Sequence, residues 1–384
     1  MKATNQSVMQ IISTDGIYGA ERVVLDLAGY FAKRSWDSRV VAIDCSGADA
    51  LLGLARQKGL TTHKLLAANR ALWNTLRDLR NYVVGENIGV VHAHGYKADT
   101  LVRWSGVARH ARIISTCHTW YSDSWRMKLY EFLDKRSLRG FDRVAVVSPQ
   151  LQQEVLDCGI QARRVALIRN GTAEPVATPG ARDRIREEFS FGADDVVLVR
   201  VGRLANSKGN DVLLRSLVGN PELRAAKVLF VGDGEERGAL QAFADANGLA
   251  DRISFTGYRA DIPDLLAAGD VFVLPSIKEG LPIALLEAMA ASLPIVSTDA
   301  GAITMALENA RNSWVVATGD ERGLAGALAQ AISRPDLRAE YARRAREDFL
   351  RHFSVEAMGT AYVSLYEGSR VDEATRTRES YQWR

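Results

Sequence analysis

Apolar residues along the chain fall into two kinds of stretch. Short continuous Val/Ile/Leu runs alternate with longer segments whose apolar positions recur every three or four residues. The first half offers the runs VMQIIS (8–13), SRVVAID (38–44), VVHAH (90–94), RIISTCH (112–118), RVAVVS (143–148) and VALIRNG (165–171). The second half offers VVLVRVG (196–202), KVLFVGDG (227–234), ISFTG (253–257), VFVLPS (271–276), PIVST (294–298) and SWVV (313–316). A strand that is apolar on both faces must be covered on both faces, which crossover helices do in parallel sheets. Segments such as GAERVVLDLAGYFAKR and DVLLRSLV carry the helical period between the runs. The alternation predicts an α/β fold with doubly wound parallel sheets.

The pattern restarts near the middle of the chain. NGTAEPVATPGARDR (170–184) is rich in Gly, Pro, Thr and Ala and has no apolar period, so it reads as a linker. The expected organisation is a Rossmann-like domain over 1–172, a linker over 173–184 and a second Rossmann-like domain over 185–351. A C-terminal helix over 352–368 is expected to pack back on the first domain, followed by a polar, disordered tail over 369–384. Two such domains place a central cleft between the C-terminal ends of their strands, where ligands bind in open parallel sheets.

Composition changes this picture little. Apolar residues at 47% and charged residues at 25% suit a soluble globular protein. The net charge of +3 is unevenly divided, with 24 Lys and Arg against 15 Asp and Glu in residues 1–170, and 25 against 31 in the remainder. A basic first half points to an anionic partner there. Cys45, Cys117 and Cys158 are too few and too scattered for a disulfide framework or a zinc site. No run approaches transmembrane length, and the N-terminus has no signal-like apolar segment, so a cytoplasmic protein is expected.

The candidate chemistry centres on SIKEGLPIALLEAMAASLPIVST (276–298). Pro282 is expected at the first helical position, where its missing N–H costs nothing. On that helix Glu287 has only Ile283, Ala284, Ala290 and Ala291 as i±3 and i±4 neighbours, so its partner must be a distant residue or a ligand. A helix start offers unpaired N–H groups and partial positive charge, which suit a phosphate. Glu287 lies about 7–8 Å beyond Pro282 along the axis. The spatial order is then Glu279, an anion site and Glu287, which matches the sugar, diphosphate and ribose of a nucleotide sugar. The alternative is a core helix whose Glu pairs with a remote Arg.

Arg203 and Lys208 follow the strand 196–202 and would neutralise the charge on a diphosphate leaving group; otherwise they are solvated loop charges. Gly16 and Gly19, after the first strand, would let backbone amides approach a phosphate, or would simply make a tight turn. His94 and His118 end strands and could meet a sugar hydroxyl, whereas His92 is expected to point the other way and pack. Gly232, Gly234 and Gly238 depart by one residue from the dinucleotide fingerprint, and Gly232 is expected at the edge of the nucleotide. The sequence holds no Asp-x-Asp, so cations from the protein rather than a divalent metal are expected at the diphosphate. In WYSDSWRMKLYEFLDKRSLRGF (120–141), Lys128, Lys135 and Arg139 share one helical stripe. That stripe suits either an anionic membrane surface or a solvated face of a sheet-covering helix.

Taken together, these residues resemble the family 4 glycosyltransferases of GT-B fold over roughly residues 8–368. The family's E-x7-E signature matches Glu279 and Glu287, and its G-R-L…K-G element matches Gly202, Arg203, Leu204, Lys208 and Gly209. Its Gly-Gly-Ala-Glu turn matches YGAE, with Tyr18 in place of the first Gly, and its asparagine–glycine pair appears as Asn170–Gly171. The resemblance implies retaining, metal-independent transfer from a nucleotide diphosphate sugar, with no cofactor. Glu279 would contact the donor sugar and Glu287 the ribose. Arg203 and Lys208 would hold the diphosphate with amides of Gly280 and Leu281, and His118 would line the donor sugar. His94 falls on the acceptor side. The acceptor expected is a glycan or lipid-linked sugar at an anionic membrane face, in surface polysaccharide or glycolipid assembly, and no nucleic-acid partner is expected. A nucleotide-sugar epimerase and a non-catalytic partner protein of the same architecture are the alternatives, with a dehydrogenase behind them.

Overall fold

The computed structural model describes residues 6–66, 72–118 and 125–368. The chain divides into two compact units. One comprises the N-terminal part to Gly171 together with the chain from Val355, and the other comprises Thr172–Ser354.

In the N-terminal unit seven parallel strands form one sheet. They are β1 (Ser7–Ile12), β2 (Asp37–Ile43), β3 (Thr61–Leu65), β4 (Val90–His94), β5 (Arg112–Cys117), β6 (Arg143–Val146) and β7 (Val165–Leu167), in the order β3-β2-β1-β4-β5-β6-β7. Both faces are covered, which explains the continuous apolar runs. Met9 and Ile11 of β1, with Val41 and Ile43 of β2, enter one core. Ile12 of β1, with Val40 and Ala42 of β2, enters the other beside helix Gly19–Lys33. β3 has no counterpart among the apolar runs: TTHKL is an edge strand with one residue fully buried, so it carries no run to read.

The C-terminal unit repeats the plan. Its strands are β8 (Val196–Val201), β9 (Ala226–Val231), β10 (Ile253–Phe255), β11 (Val271–Leu274), β12 (Ile295–Thr298) and β13 (Trp314–Val316), parallel, in the order β10-β9-β8-β11-β12-β13. In each sheet the order reverses beside the first strand, between β1 and β4 and between β8 and β11. Connections from those two strands leave on opposite faces, which opens a crevice at their C-terminal ends.

The segment read as a linker over 173–184 is shorter, because helix Ala181–Glu188 begins inside it. Gly180, at φ 74°, turns the chain into that helix, and Arg182 and Arg186 ion-pair with Asp270 of the same unit. The apolar period that would mark this helix is nearly absent, since only Ala181, Ile185 and Arg186 are buried. The C-terminal helix also starts later than 352. His352 closes helix Pro335–His352, and a separate helix spans Val355–Glu367. This last helix packs on Gly19–Lys33 of the N-terminal unit, where Tyr366 stacks on Phe31 with ring centroids 5.0 Å apart and Tyr30 Oη lies 3.1 Å from Thr360 Oγ1. The tail over 369–384 lies outside the described residues.

Gly359 sits at that helix contact, where an added Cβ would fall 2.4–2.5 Å from three ring atoms of Tyr30. Alanine is worth up to about 1 kcal/mol over glycine in an open helix interior. Here the overlap reverses the sign, and Gly359→Ala is expected to destabilise the protein by about 1–3 kcal/mol. Urea unfolding followed by circular dichroism measures this, and a raised midpoint would contradict the packing described.

Candidate functional site

The C-terminal unit gathers its predicted residues at the β8/β11 reversal. β8 ends at Val201, and the chain passes through Gly202 and Arg203 to a turn at Asn206–Lys208, then into helix Asn210–Leu217. β11 ends at Leu274 and leads through Ser276 and Glu279 to helix Ile283–Ala290. The two loops are tied together by backbone, because the amides of Ile277 and Lys278 both donate to the Ser207 carbonyl, at 2.9 and 3.0 Å. A Cβ on Gly209 would lie 2.0 Å from the Pro275 carbonyl oxygen, so only glycine lets the loops approach this closely.

Between these loops Lys208 Nζ lies 2.6 Å from Glu279 Oε1. Ser276 Oγ donates to the same oxygen at 3.0 Å. The Glu279 side chain is 8% exposed and that of Lys208 23%. Desolvation is therefore partial, and an ammonium with three donors has given one to the carboxylate. The remaining donors can reach an anion. Arg203 is exposed at the mouth of the same loop.

Helix Ile283–Ala290 buries every residue except Ala284 and Glu287, which are partly open and three apart, on one face. Pro282 is not its first residue. With ψ at 137° it is extended and occupies the N-cap, so the helix opens one residue later than the sequence suggests. Gly280 is exposed and Leu281 buried just ahead of it. Gly232 packs against the neighbouring loop, where a Cβ would meet the Gly202 carbonyl at 2.3 Å. Its glycine is thus required by the close approach of two backbones at the β8 and β9 ends.

Sequence reasoning missed Arg200. It is fully buried on β8, and its guanidinium donates to the Arg203 carbonyl at 3.2 Å. Burial pushes its pKa down to about 10, against the opposing pull of Glu279 and Glu236. The signal was present as the one charge inside VVLVRVG.

The N-terminal unit gathers a second set at its β1/β4 reversal. A cavity of about 260 Å³ is lined by residues that include Thr14, Tyr18, Glu21, His94 and Lys97. Gly16 follows β1 and Gly19 opens helix Gly19–Lys33, but neither is among the residues that line this cavity. The Gly16 amide donates to Thr14 Oγ1 at 3.1 Å and the Tyr18 amide to Glu21 Oε2 at 2.9 Å, so the turn satisfies these two donors itself.

His94 ends β4 and His118 directly follows β5, with His94 Nδ1 3.1 Å from His118 Nε2. His92 does not point the other way. Residues two apart in a strand share a face, and the His92 and His94 ring centroids lie 4.1 Å apart with the rings tilted at 40°. Burial lowers the pKa of all three, His118 to about 4, and mutual repulsion lowers His92 and His94 further. On helix Trp125–Leu138 the expected basic stripe is partly engaged by the protein itself. Lys135 pairs with Glu131 at 2.5 Å, and Arg139 donates to the Cys158 carbonyl at 3.0 Å.

The family description "Glycosyltransferase Family 4" matches residues 17–173, and "Glycosyl transferases group 1" matches residues 181–348. The chain belongs to the family 4 glycosyltransferases. Among relatives of this family 4 chain, the lipopolysaccharide core biosynthesis glycosyltransferase LpsE of Rhizobium meliloti (strain 1021) is 32% identical over 229 residues. That alignment covers 59% of the chain and 64% of LpsE, so it spans less than two thirds of the relative. N-acetyl-alpha-D-glucosaminyl L-malate synthase of Bacillus anthracis is 24% identical over 73% of the chain and 75% of its own length. The crystal structure of Anabaena HepE in complex with UDP superposes with a TM-score of 0.82 at 20% identity, covering 94% of this chain and 99% of that one. The family 4 chain thus has the GT-B fold.

Each of the three buried histidines contributes a loss of stability in mild acid. Their folded-state pKa values lie below the unfolded value of about 6.5. Below that value the unfolded chain binds protons that the folded one refuses, so stability is complete above it and falls as pH drops toward 4. Asp99 acts in the opposite sense, because burial and Asp134 raise its pKa. The contrast is therefore drawn against His118→Asn. Between pH 7 and pH 5 the urea midpoint of the wild type is expected to fall further than that of the variant, and equal losses would contradict a His118 held neutral.

Proposed function

We propose that the protein is a retaining glycosyltransferase that moves a sugar from a nucleotide diphosphate donor to a glycan or lipid-linked acceptor, without a metal, in the assembly of a surface polysaccharide or lipopolysaccharide core. The observation that carries this reading is the Lys208–Glu279 pair, held at the β8/β11 reversal, with Arg203 exposed in the loop after β8 and Glu287 on the helix that follows β11. The names of the relatives support it: LpsE is named for lipopolysaccharide core biosynthesis, and HepE was crystallised with UDP.

In this reading the diphosphate lies against Arg203, Lys208 and the start of helix Ile283–Ala290. Glu279 accepts from hydroxyls of the donor sugar and Glu287 from the ribose, with the Gly280 and Leu281 amides assisting at the phosphates. The bond between the anomeric carbon and the diphosphate oxygen breaks, and its electron pair leaves with the diphosphate. The acceptor hydroxyl attacks the same face of the sugar and passes its proton to the departing phosphate oxygen, so the configuration is retained. The two cations stabilise the charge that develops on that oxygen. His118 lines the donor sugar, and His94 and the basic N-terminal unit take the acceptor. Exposed Leu129, Tyr130, Phe132 and Leu133, beside Lys128, favour an anionic membrane face as the acceptor's location. No helix among the described residues is long and apolar enough to cross a membrane.

A thermal-shift panel of nucleotide sugars tests the donor. One nucleoside diphosphate class, uridine first, is expected to raise the melting temperature, and Glu287→Ala to lose most of that shift. Chelation with EDTA is expected to leave both the shift and transfer unchanged. No stabilisation by any nucleotide sugar would overturn the reading. For the membrane face, flotation with phosphatidylglycerol vesicles is expected to exceed that with neutral vesicles, and equal flotation would remove it.

A further inference from the structure

A continuous line of buried hydrogen bonds runs through the N-terminal unit from His118 to the C-terminal helix. His118 Nε2 lies 3.1 Å from His94 Nδ1, and His94 Nε2 lies 2.8 Å from Gln10 Oε1. Gln10 Nε2 donates to Tyr366 Oη at 3.1 Å. Tyr366 Oη lies 2.6 Å from His92 Nδ1, and His92 Nε2 lies 2.7 Å from Thr116 Oγ1. Thr116 Oγ1 lies 2.7 Å from Tyr362 Oη. Gln10, His92 and Thr116 are 0% exposed, His94 2%, and Tyr362 and Tyr366 1% each, so water does not compete for these bonds.

With the Gln10 amide oxygen toward His94 and its nitrogen toward Tyr366, the chemistry of the links fixes their direction. An amide oxygen only accepts, so His94 Nε2 carries the proton donated to Gln10. A neutral imidazole has one proton, so His94 Nδ1 accepts, and His118 must donate to it from Nε2. His118 is then the Nε2–H tautomer, and its Nδ1 is an acceptor. On the other side, Gln10 donates to Tyr366, Tyr366 donates to His92 Nδ1, and His92 donates to Thr116.

Turning the Gln10 amide over would reverse every link and move the His118 proton to Nδ1. Tyr366 joins the two halves of the relay, since its phenol donates to His92 while the Gln10 nitrogen donates to it. Its phenol has one proton and two claimants, Gln10 and His92. Its place is set by stacking on Phe31, and the Arg112 guanidinium donates to its carbonyl.

We propose that Tyr366, on the C-terminal helix, is a positioning residue that sets the tautomer of His118 through this relay, so that His118 presents Nδ1 as a hydrogen-bond acceptor to a ligand hydroxyl. The part of the proposal that concerns the ligand rests on the glycosyltransferase reading. The relay itself does not.

The test is two-bond ¹H–¹⁵N correlation spectroscopy of the full chain labelled at histidine, with His118 assigned by His118→Asn. In the wild type His118 is expected as a single tautomer protonated at Nε2. In Tyr366→Phe the relay is cut, and the two His118 nitrogens are expected to shift toward the averaged values of mixed tautomers. If Tyr366→Phe does not fold, Gln10→Leu cuts the same relay one link nearer and is expected to give the same averaging. An Nδ1–H or averaged His118 in the wild type overturns the proposal, as do His118 shifts unchanged in the folded variant. With a donor in hand, Tyr366→Phe is expected to lower kcat on the order of tenfold at unchanged donor KM. A lowered affinity with kcat intact would overturn the positioning role. The tautomer result stands whether or not sugar transfer is found, so failure of the functional reading is distinguishable from failure of the relay.

Discussion

Every strand pairing in the two described sheets is parallel, and that constraint decides where the chemistry is found. A parallel sheet needs a crossover after each strand, and the crossovers bury both of its faces. Polar side chains can then be afforded chiefly where strands end. All the C-terminal ends lie along one edge, and the order reversal beside β1 and β8 opens that edge at one place in each sheet. The tied loops around Lys208 and Glu279 occupy that place in one unit, and His94 with the Gly16 turn occupies it in the other. In both units the candidate residues are scattered in sequence and adjacent in space.

The exceptions are informative. Arg200, Gln10 and His92 are polar, fully buried and inside strands. A buried polar group is stable only when bonded or charge-compensated. Gln10 bonds to His94, His92 bonds to Thr116, and both bond to Tyr366 on a helix that arrives 356 residues after Gln10 and 274 after His92. Arg200 gives one bond to the backbone of Arg203 and lies in the field of Glu279 and Glu236. These residues lie directly beneath the strand ends and fix the groups above them.

The strands and the two-domain plan were legible because both-faced burial leaves continuous apolar runs. β3 was not, because an edge strand with one buried residue leaves none. The helix at Ala181 was not, because its buried positions include an arginine and its neighbours are mostly charged. Pro282 caps its helix where the sequence predicts it at the first helical position, since proline fixes φ but leaves ψ open. The Glu279 and Lys208 loops were legible as segments that follow apolar runs, but only the strand order shows that β8 and β11 sit side by side. The histidine relay was not legible. A period of two puts His92 on the face of His94, against the expectation, and nothing local in AYVSLYE marks Tyr362 and Tyr366 as partners of β4 and β5. Their contacts depend on where the last helix docks.

The central claim is that the loops after β8 and β11 form a site for a nucleotide diphosphate sugar. Hydrogen–deuterium exchange of the full chain, with and without uridine diphosphate sugars, tests it most directly. Slowed exchange is expected over residues 202–210 and 276–287. Unchanged exchange in both segments, with ligand protection elsewhere in the chain, would contradict it.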